Sequence, residues 1–407
     1  MRARACPRVL VLATTFPRWV GDSEPAFVWD LTCRLTGRGY GCTVLVPHAP
    51  GARVQEEWEG VRVIRFRYAP EPLEKVCYEG GALPNLRASW RARLALPSLL
   101  VAQRAAIRRL IGSGDFDLVH SHWIIPQGFL AAGACRKGGI PLLLTAHAGD
   151  VFGLRGPLRR SARMALGGAS AVTANSRATA EAVRSIHPDS DPILIPMGVD
   201  LTQFTQAPDE NRVQLEGNPS LLAVGRFAEK KGFHVLIEAL PKLLERLPES
   251  HLHLVGFGPW EARLRELASS LRLDSRVRFH GPVPHSEISS FFRGADLFVQ
   301  PSLADAGGDR EGLGVTLLEA MATGVPVVAS RSGGIPDVLE DAEHGILVEP
   351  GNPTVLAEGL HTLWTSPERL RMAEAARARV SERFSWDSIA DRFADLYTRL
   401  LSFKRAH

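Results

Sequence analysis

Two glutamates, Glu311 and Glu319, enclose the stretch GLGVTLL within the segment GGDREGLGVTLLEA. The apolar run predicts a buried helix, and the glycines before it allow a tight turn that brings free backbone amides to the helix N-terminus. Free amides and the helix dipole attract an anion, so the segment predicts a phosphate site. Carboxylates are favourable there only if they accept hydrogen bonds from flanking hydroxyl groups. The pattern therefore favours a nucleotide sugar as ligand, and a purely structural helix start is the alternative.

Two further stretches place polar side chains directly after predicted strands. In VGRFAEKKG, Arg226 and Lys231 follow a strand and precede a helical run. Cations at the carboxyl edge of a parallel sheet lie where open α/β sheets bind ligands, and they are suited to hold a departing diphosphate. In LLLTAHAGD, His147 and Asp150 follow another strand and a turn of small residues. A histidine in this position is more often structural, but the small residues leave room for a ligand.

Short β-branched runs alternate with longer helix-like segments, which predicts βαβ units and parallel sheets. Strands are predicted in the first half of the chain at 8–14, 41–47, 61–66, 117–122, 141–147, 171–175 and 193–198. In the second half they are predicted at 220–226, 251–256, 277–281, 297–302, 326–330 and 345–350. The fold class is therefore α/β, with two doubly wound, Rossmann-like domains.

The domain boundary is predicted in GVDLTQFTQAPDENRVQLEGNPS, which is polar, rich in turn residues and without helical or strand periodicity. We expect an N-terminal domain over 1–198 and a C-terminal domain over 199–385. The remaining segment, 386–407, has aromatic and aliphatic residues at helical spacing and predicts an amphipathic helix that closes the fold.

Composition excludes several protein classes. With 407 residues and 45% hydrophobic residues, the chain has no apolar run of the ~20 residues that a membrane helix needs. The N-terminal run VLVLA is short and lacks a cleavage site, so a first strand is favoured over a signal peptide and a cytoplasmic location is expected. The five cysteines never form a C-x-x-C pair, which indicates reduced thiols.

Charge is distributed unevenly along the chain. Residues 1–196 carry 25 Lys and Arg against 15 Asp and Glu, whereas residues 197–407 carry 23 against 29. No acidic residue lies between Glu79 and Asp115, and six arginines lie there among apolar residues. A solvated helix face is one explanation of this run. Binding of an anionic acceptor or of membrane headgroups at 87–109 explains it equally well. No nucleic-acid-binding motif accompanies the charge, so nucleic acid is not expected as a partner.

The stretches VGRFAEKKG, EGLGVTLLEAMATGVPVVASRSGGIPDVL, HGILVEPGNP and IPMGVD resemble, in order and spacing, the motifs of glycosyltransferase family 4. TTFPRWVGDSEPAFVWDLTCRLTGRGYGCTVLVP and DLVHSHW extend the resemblance over nearly the whole chain. The resemblance implies a retaining, nucleotide-sugar-dependent hexosyltransferase of the GT-B fold, with its two domains facing each other across a cleft. The variant around Glu311 looks most similar to members that build exopolysaccharides or colanic-acid-like chains.

The resemblance also implies a role for each domain and for individual residues. The N-terminal domain should bind the acceptor and the C-terminal domain the donor. His147, Asp150 and Glu311 are expected at the reacting sugar. Residues expected to bind the donor are Gly21, Asp22, Arg226, Lys231, Gly312, Leu313, Gly314 and Glu319. Many relatives carry a Gly-Gly pair in the first loop, where this chain has RWVGDSEP with Gly21 and Asp22.

The implied reaction needs no cofactor beyond the nucleotide sugar, and no metal is expected. Fixed cations and helix amides would stabilise the leaving diphosphate. DFD at 115–117 has the D-x-D form of metal-dependent transferases but directly precedes a strand, so we interpret it as a turn. HSH at 120–122 offers two imidazoles without a third ligand near in sequence.

Other functions of the same architecture remain open from sequence. A glycan phosphorylase would need a longer chain and a pyridoxal-phosphate lysine. A nucleotide-sugar epimerase would use the same site without an acceptor. A non-catalytic scaffold in a membrane-bound glycan assembly complex would have no physical use for Arg226, Lys231, Glu311 and Glu319 together. We expect a transferase in cell-surface polysaccharide or glycolipid synthesis, acting on a saccharide or lipid-linked acceptor, with peripheral contact to the inner face of the membrane.

Overall fold

The structure is a computed structural model that describes residues 6–22, 24–78, 81–205 and 212–406. The chain forms two compact units. Unit 1 consists of Met1–Asn175, Thr179–Ile195 and Ile389–His407, and unit 2 of Ser176–Ala178 and Pro196–Ser388. No helix within the described ranges is both long enough and apolar enough to cross a bilayer.

Each unit contains one sheet. The strands of unit 1 are β1 (Arg8–Leu12), β2 (Gly41–Pro47), β3 (Gln55–Trp58), β4 (Val61–Phe66), β5 (Leu118–His122), β6 (Leu142–Ala146), β7 (Ala171–Ala174) and β8 (Ile193–Leu194). Those of unit 2 are β9 (Ser220–Val224), β10 (His251–Val255), β11 (Val277–Gly281), β12 (Leu297–Gln300), β13 (Val327–Ser330) and β14 (Ile346–Val348). Every predicted strand is present, so the predicted α/β fold class is confirmed.

Most of the α-helices connect these strands, and α13, α14 and α15 follow β14. They are α1 (Phe27–Gly37), α2 (Ala82–Ala88), α3 (Trp90–Gly112), α4 (Phe129–Gly138), α5 (Gly156–Gly167), α6 (Arg177–Ile186), α7 (Leu201–Thr205), α8 (Phe233–Leu244), α9 (Glu261–Ser270), α10 (Ile288–Gly294), α11 (Val315–Thr323), α12 (Ile335–Val338), α13 (Pro353–Thr365), α14 (Arg369–Arg383) and α15 (Trp386–Ala406).

The sheet of unit 1 has the strand order β3-β4-β2-β1-β5-β6-β7-β8. Seven of its strands are parallel, and β3 alone pairs antiparallel with β4. The sequence analysis missed β3, because QEEW is polar and lies half-exposed at the sheet edge. A Glu59-Gly60 turn, with positive φ at both residues, joins it to β4 and was the available signal.

The helices α3, α4 and α5 lie in one layer of unit 1. All three lead towards β5, β6 and β7 in the same direction across the sheet, so right-handed crossovers place them on the same face. Their buried side chains, such as Leu99, Cys135 and Leu166, share a core with Val119 and Leu144 of the sheet. The opposite sides of these helices are therefore on one outer surface of the unit.

The sheet of unit 2 has the strand order β11-β10-β9-β12-β13-β14 and is parallel throughout. The chain runs from β9 outwards to β11 and then returns to β12 beside β9. The strand order therefore reverses between β9 and β12. In open α/β sheets this switch point leaves a crevice at the carboxyl ends of the two strands, where ligands bind.

Candidate functional site

The polar residues predicted in unit 2 come together at its switch point. Arg226 and Lys231 follow β9, and Glu311 lies in the loop between β12 and α11. Nζ of Lys231 is 2.5 Å from Oε2 of Glu311, and both side chains are largely buried. The same carboxylate oxygen lies 3.3 Å from Nε2 of Gln300 and 3.4 Å from the Ser302 hydroxyl, both at the end of β12. The structure therefore brings these two predicted residues together, in a contact that the sequence pattern did not predict.

The charge state of Glu311 follows from these contacts. Burial acts to raise the pKa of Glu311, but the charge of Lys231 and its hydrogen bond outweigh burial and hold this pKa below its usual range. Lys230 and the Ser302 hydroxyl act in the same direction. Glu311 is thus an ionised carboxylate at neutral pH, matched by one ammonium group.

Open backbone amides follow Glu311. Gly314 is the N-cap of α11, with a φ of 92°, and within the described part of the chain the amides of Gly312, Leu313 and Gly314 donate to no acceptor. Consecutive amides at a helix N-terminus next to a lysine form an anion-binding arrangement. The segment before α11 therefore offers open amides where the sequence predicts a phosphate, and the phosphate itself stays a prediction.

Two glycines allow the backbone segments of this site to approach closely. A Cβ on Gly232, directly after Lys231, would lie 1.8 Å from the carbonyl oxygen of Pro301. A Cβ on Gly333 would lie 1.9 Å from the carbonyl oxygen of Glu311, and both glycines have positive φ. The amide of the next residue, Gly334, donates to that Glu311 carbonyl at 3.1 Å. The SGG segment after β13 therefore supports the Glu311 loop, a role that the sequence analysis did not assign.

Glu319 lies inside α11, where it is 6% exposed. Its Oε1 lies 2.9 Å from Nε2 of His285, a residue of the β11–α10 connection whose side chain is 62% exposed. Helix α11 positions Glu319, and the loop that follows β11 brings His285 to it. Sequence reasoning missed His285, because 34 residues separate it from Glu319 and no local pattern connects them.

The loop after β9 carries two further cations, Arg226 and Lys230. Arg226 is half-buried two residues after β9. Lys230 Nζ forms a second ion pair, at 2.9 Å, with Oδ2 of Asp309. Two lysine–carboxylate pairs thus join the loop after β9 to the loop after β12, across the switch point.

In unit 1, His147 and Asp150 lie in the turn that follows β6. The Asp150 carboxylate is buried and accepts hydrogen bonds from two backbone amides, that of Ile124 at 2.6 Å and that of His147 at 2.8 Å. Burial raises the pKa of Asp150 to about 6, partly offset by these amides. Because both carboxylate oxygens are occupied by backbone, the observed role of Asp150 is to join the ends of β5 and β6.

His147 belongs to a group of three imidazoles that the fold brings together. Its Nε2 is 3.0 Å from Nδ1 of His122, and the two rings stack with centroids 5.2 Å apart. His120 donates to or accepts from the hydroxyls of Tyr397 and Thr145, each at 2.7 Å. Burial lowers the pKa of His120 and of His147 to about 3, and it lowers that of His122 well below its usual value.

This histidine group also explains the HSH motif. The third imidazole that was missing in sequence is His147, but both nitrogens of His120 are occupied by hydroxyl groups. His122 was considered in sequence only as half of a zinc-like pair, and its contact with His147 depends on the neighbouring positions of β5 and β6.

The DFD motif has a structural role. Oδ2 of Asp117 accepts the backbone amide of Arg8 at 2.9 Å, and Asp115 pairs with the Arg8 guanidinium at 2.9 Å. Both acids therefore hold the beginning of β1 against the beginning of β5, which agrees with the interpretation of DFD as a turn.

The first loop of unit 1 contains Gly21 and Asp22. Gly21 has a φ of 81°, and Asp22 accepts from the backbone amide and the guanidinium of Arg18. The loop exposes Trp19 and Val20. It follows β1, which lies next to β5 at the switch point of this sheet, but its role toward a donor stays a prediction.

Comparisons with known proteins show the family of the chain. Two family models match successive parts of the chain. Glycosyltransferase Family 4 matches residues 26–203, and Glycosyl transferases group 1 matches residues 206–379. A GDP-mannose-dependent alpha-(1-6)-phosphatidylinositol monomannoside mannosyltransferase of Mycolicibacterium smegmatis is 33% identical over 312 residues, covering 74% of this chain and 81% of that protein. WcaL of Escherichia coli K12, named for colanic acid biosynthesis, is 36% identical over 50% of each chain.

Among solved structures, a sucrose-phosphate synthase of Thermosynechococcus elongatus is similar with a TM-score of 0.74 and 23% identity, covering 97% of this chain and 99% of the other. This similarity confirms the GT-B fold with two Rossmann-like domains. The extent and identity of the sequence matches also confirm the resemblance inferred from the motifs. The chain therefore belongs to glycosyltransferase family 4 and is a glycosyltransferase of the GT-B fold.

Proposed function

We propose that the enzyme transfers a hexosyl group, with retention of configuration, from a nucleotide-diphosphate sugar to a saccharide or lipid-linked acceptor in cell-surface polysaccharide or glycolipid synthesis. The observation that carries this proposal is the Lys231–Glu311 pair beside the open amides of Gly312, Leu313 and Gly314. A cation and free N–H groups suit a diphosphate, and the ionised carboxylate suits sugar hydroxyls.

The donor would rearrange this pair on binding. Its distal phosphate competes with Glu311 for Lys231, and Glu311 then becomes available to accept hydrogen bonds from the sugar. Arg226 and the α11 amides stabilise the charge that develops on the diphosphate as the glycosidic bond breaks. Glu319 gives up its contact with His285 and accepts hydrogen bonds from the ribose hydroxyls instead. In this proposal His147 contacts the reacting sugar. Asp150 acts indirectly, through the backbone of His147 that it holds. No metal or further cofactor is required.

The donor is tested by thermal shift against GDP-mannose, UDP-glucose and ADP-glucose. GDP-mannose is the first choice, because the mannosyltransferase relative is named as dependent on it. One donor should raise the unfolding temperature in a concentration-dependent way, since a ligand that binds only the folded state stabilises it. Product analysis then separates the alternatives: a glycoside identifies a transferase, whereas an epimerised free nucleotide sugar identifies an epimerase. No stabilisation by any nucleotide sugar would contradict the proposal and favour a scaffold.

The site is tested with two neighbouring lysines. We expect Lys231→Met to lower kcat/KM by about 100-fold or more, because it removes a buried cation at the leaving group. Lys230→Met is the matched control, since Lys230 also forms an ion pair but with Asp309. Its effect should be less than about 10-fold, and Glu319→Ala should abolish transfer while the protein remains folded. Unchanged turnover in Lys231→Met would refute the assignment.

We also propose that α3 holds the enzyme at an anionic membrane, where a lipid-linked acceptor would be found. Its outward side carries Trp90, Leu94 and Val101, which are 62%, 70% and 70% exposed. At 3.6 residues per turn these lie within ~40° of one another and opposite the buried Leu99. Arginines lie beside this apolar line or continue it along the helix, namely Arg91, Arg93, Arg104, Arg108 and Arg109. An apolar stripe between cationic side chains is typical of helices that lie in a membrane interface.

Helix α5 also supports this proposal. It belongs to the same layer as α3 and presents Arg159, Arg160 and Arg163 with Leu158 and Met164, all exposed. No acidic residue occurs in α2, α3, α4 or α5. The exposed apolar side chains favour a lipid surface over a soluble anionic saccharide, which would need only the arginines.

Liposome sedimentation tests the membrane surface. The protein should bind vesicles containing anionic phospholipid at low salt, bind neutral vesicles weakly, and dissociate as salt rises. Leu94→Glu should weaken binding, whereas Leu370→Glu on α14 should not, although Leu370 is equally exposed at 69%. Failure to bind anionic vesicles at low salt contradicts the proposal. Equal vesicle binding by Leu94→Glu and Leu370→Glu would also contradict it. Displacement of the protein from vesicles by an acidic polysaccharide alone would identify a saccharide as the partner of this surface.

A further inference from the structure

His122 contacts the predicted sugar-binding histidine directly. It is the last residue of β5, is 0% exposed, and its Nδ1 lies 3.0 Å from Nε2 of His147. A hydrogen bond between two ring nitrogens needs one N–H and one bare nitrogen. The pair therefore has only two neutral arrangements: His122 donates to His147, or His147 donates to His122.

The other nitrogen of His122 decides between these arrangements. Its Nε2 is enclosed by protein and has no hydrogen-bond partner among the described residues. If that nitrogen carried the proton, an N–H group would be buried without an acceptor, which is rare and costly in proteins. The proton is therefore on Nδ1 of His122, which faces His147. His147 must then accept at Nε2 and carry its own proton on Nδ1.

The residues around His147 hold its ring in this orientation. Phe27 packs against it with ring centroids 5.1 Å apart, and Trp123 packs at 5.0 Å. The carboxylate of Asp150 holds its backbone amide. The Nδ1 atom of His147 makes no hydrogen bond to any described residue, and the side chain is half-buried. The His147 ring is therefore held in place, and its Nδ1, which has no partner among the described residues, points away from His122.

We propose that His122 is a positioning residue that holds His147 in the Nδ1–H tautomer, so that His147 offers a neutral N–H donor to an oxygen of the transferred sugar. The sugar as partner rests on the proposed function, whereas the tautomer rests on the geometry alone. A neutral donor suits this position, because the low pKa of His147 keeps the ring uncharged at neutral pH. An uncharged imidazole can bind a sugar hydroxyl without repelling the positive charge that develops on the sugar ring.

Nitrogen NMR of the full chain without substrate tests the tautomer. The 13 histidines are labelled with ¹⁵N, and the His147 signals are identified by their loss in His147→Ala. Long-range proton–nitrogen correlations should show a protonated Nδ1 and a bare Nε2 for His147. A protonated Nε2 would overturn the proposal. This outcome is independent of turnover, so it is distinguishable from failure of the proposed function, which would appear as no reaction with any nucleotide sugar.

Variants of His122 test its effect on the reaction. The side-chain amide of His122→Asn can replace the Nδ1–H donor, so kcat/KM should remain within about threefold of the wild type. His122→Phe keeps the ring shape but removes the donor and should lower kcat/KM about 10-fold, in line with the loss of one hydrogen bond. Combining His122→Phe with His147→Ala should add nothing to the effect of His147→Ala. Equal activity of the Asn and Phe variants, or full additivity with His147→Ala, would contradict the proposal.

Discussion

Gly333 has the conformation and the surroundings that exclude a side chain. Its φ is 57°, and a Cβ would lie 1.9 Å from the carbonyl oxygen of Glu311. We therefore expect Gly333→Ala to displace the Glu311 loop and to lower donor affinity by more than 10-fold. It should also destabilise the protein by more than the ~1–2 kcal/mol that a left-handed conformation costs a residue with a Cβ.

The matched control is Gly351→Ala. Gly351 has a φ of 74° but no atom within 4 Å of the position of a Cβ. It therefore carries the conformational cost without the steric clash. Donor titration by calorimetry and urea unfolding of both variants separate the two effects. If the two alanine variants behave alike, the close approach at Gly333 does not support the site.

At the scale of elements, Asp150 joins the carboxyl ends of β5 and β6. Its carboxylate accepts the amides of Ile124 and His147, and substitution by alanine leaves both amides without their acceptor. We expect Asp150→Ala to reduce the free energy of unfolding by about 2–4 kcal/mol, since each buried unsatisfied group costs ~1–3 kcal/mol. Asp150→Asn, which keeps one carbonyl acceptor, should lose less.

Hydrogen exchange measures this effect locally. The amides of Ile124 and His147 should exchange much faster in Asp150→Ala than in the wild type, because they lose their acceptor. Asp200→Ala is the control, since its carboxylate accepts an amide, that of Thr202, in an exposed turn. Unchanged protection of the two amides in Asp150→Ala would show that other groups hold these strands together.

At the scale of the whole molecule, the buried histidines make stability depend on pH. Burial lowers the pKa of His120 and His147 to about 3, whereas an unfolded chain takes up these protons near pH 6.5. Because the unfolded state then binds more protons, stability is fully present above pH 6.5 and is lost as the pH falls towards 3. Each such histidine contributes at most ~1.4 kcal/mol per pH unit.

Asp150 acts in the opposite direction. Its pKa is raised to about 6, so the folded state binds a proton before the unfolded state does, between pH 6 and about 4. This offsets about one histidine. Urea unfolding at pH 7.5, 6.5 and 5.5 should still show a decrease in stability, since three histidines in unit 1 have lowered pKa values. His120→Phe should make the decrease less steep, and an equal or steeper slope would contradict this account.

The amino-acid sequence by itself determined the α/β class, the order of the strands along the chain, the family and the two ends of the Glu311–Glu319 segment. These features depend on local periodicity and on short motifs, which are visible in the sequence without information on the contacts between distant segments. The strand β3 was missed for the same reason, because its polar residues carry no hydrophobic pattern.

Only the tertiary structure decided which residues touch. The contacts of Lys231 with Glu311, His285 with Glu319 and His122 with His147 join positions 80, 34 and 25 residues apart. Strand order determines these meetings, since parallel strands that are distant in sequence end at the same edge of a sheet. Whether an imidazole donates or accepts, and whether a carboxylate is ionised, depends on the burial and partners that this arrangement creates.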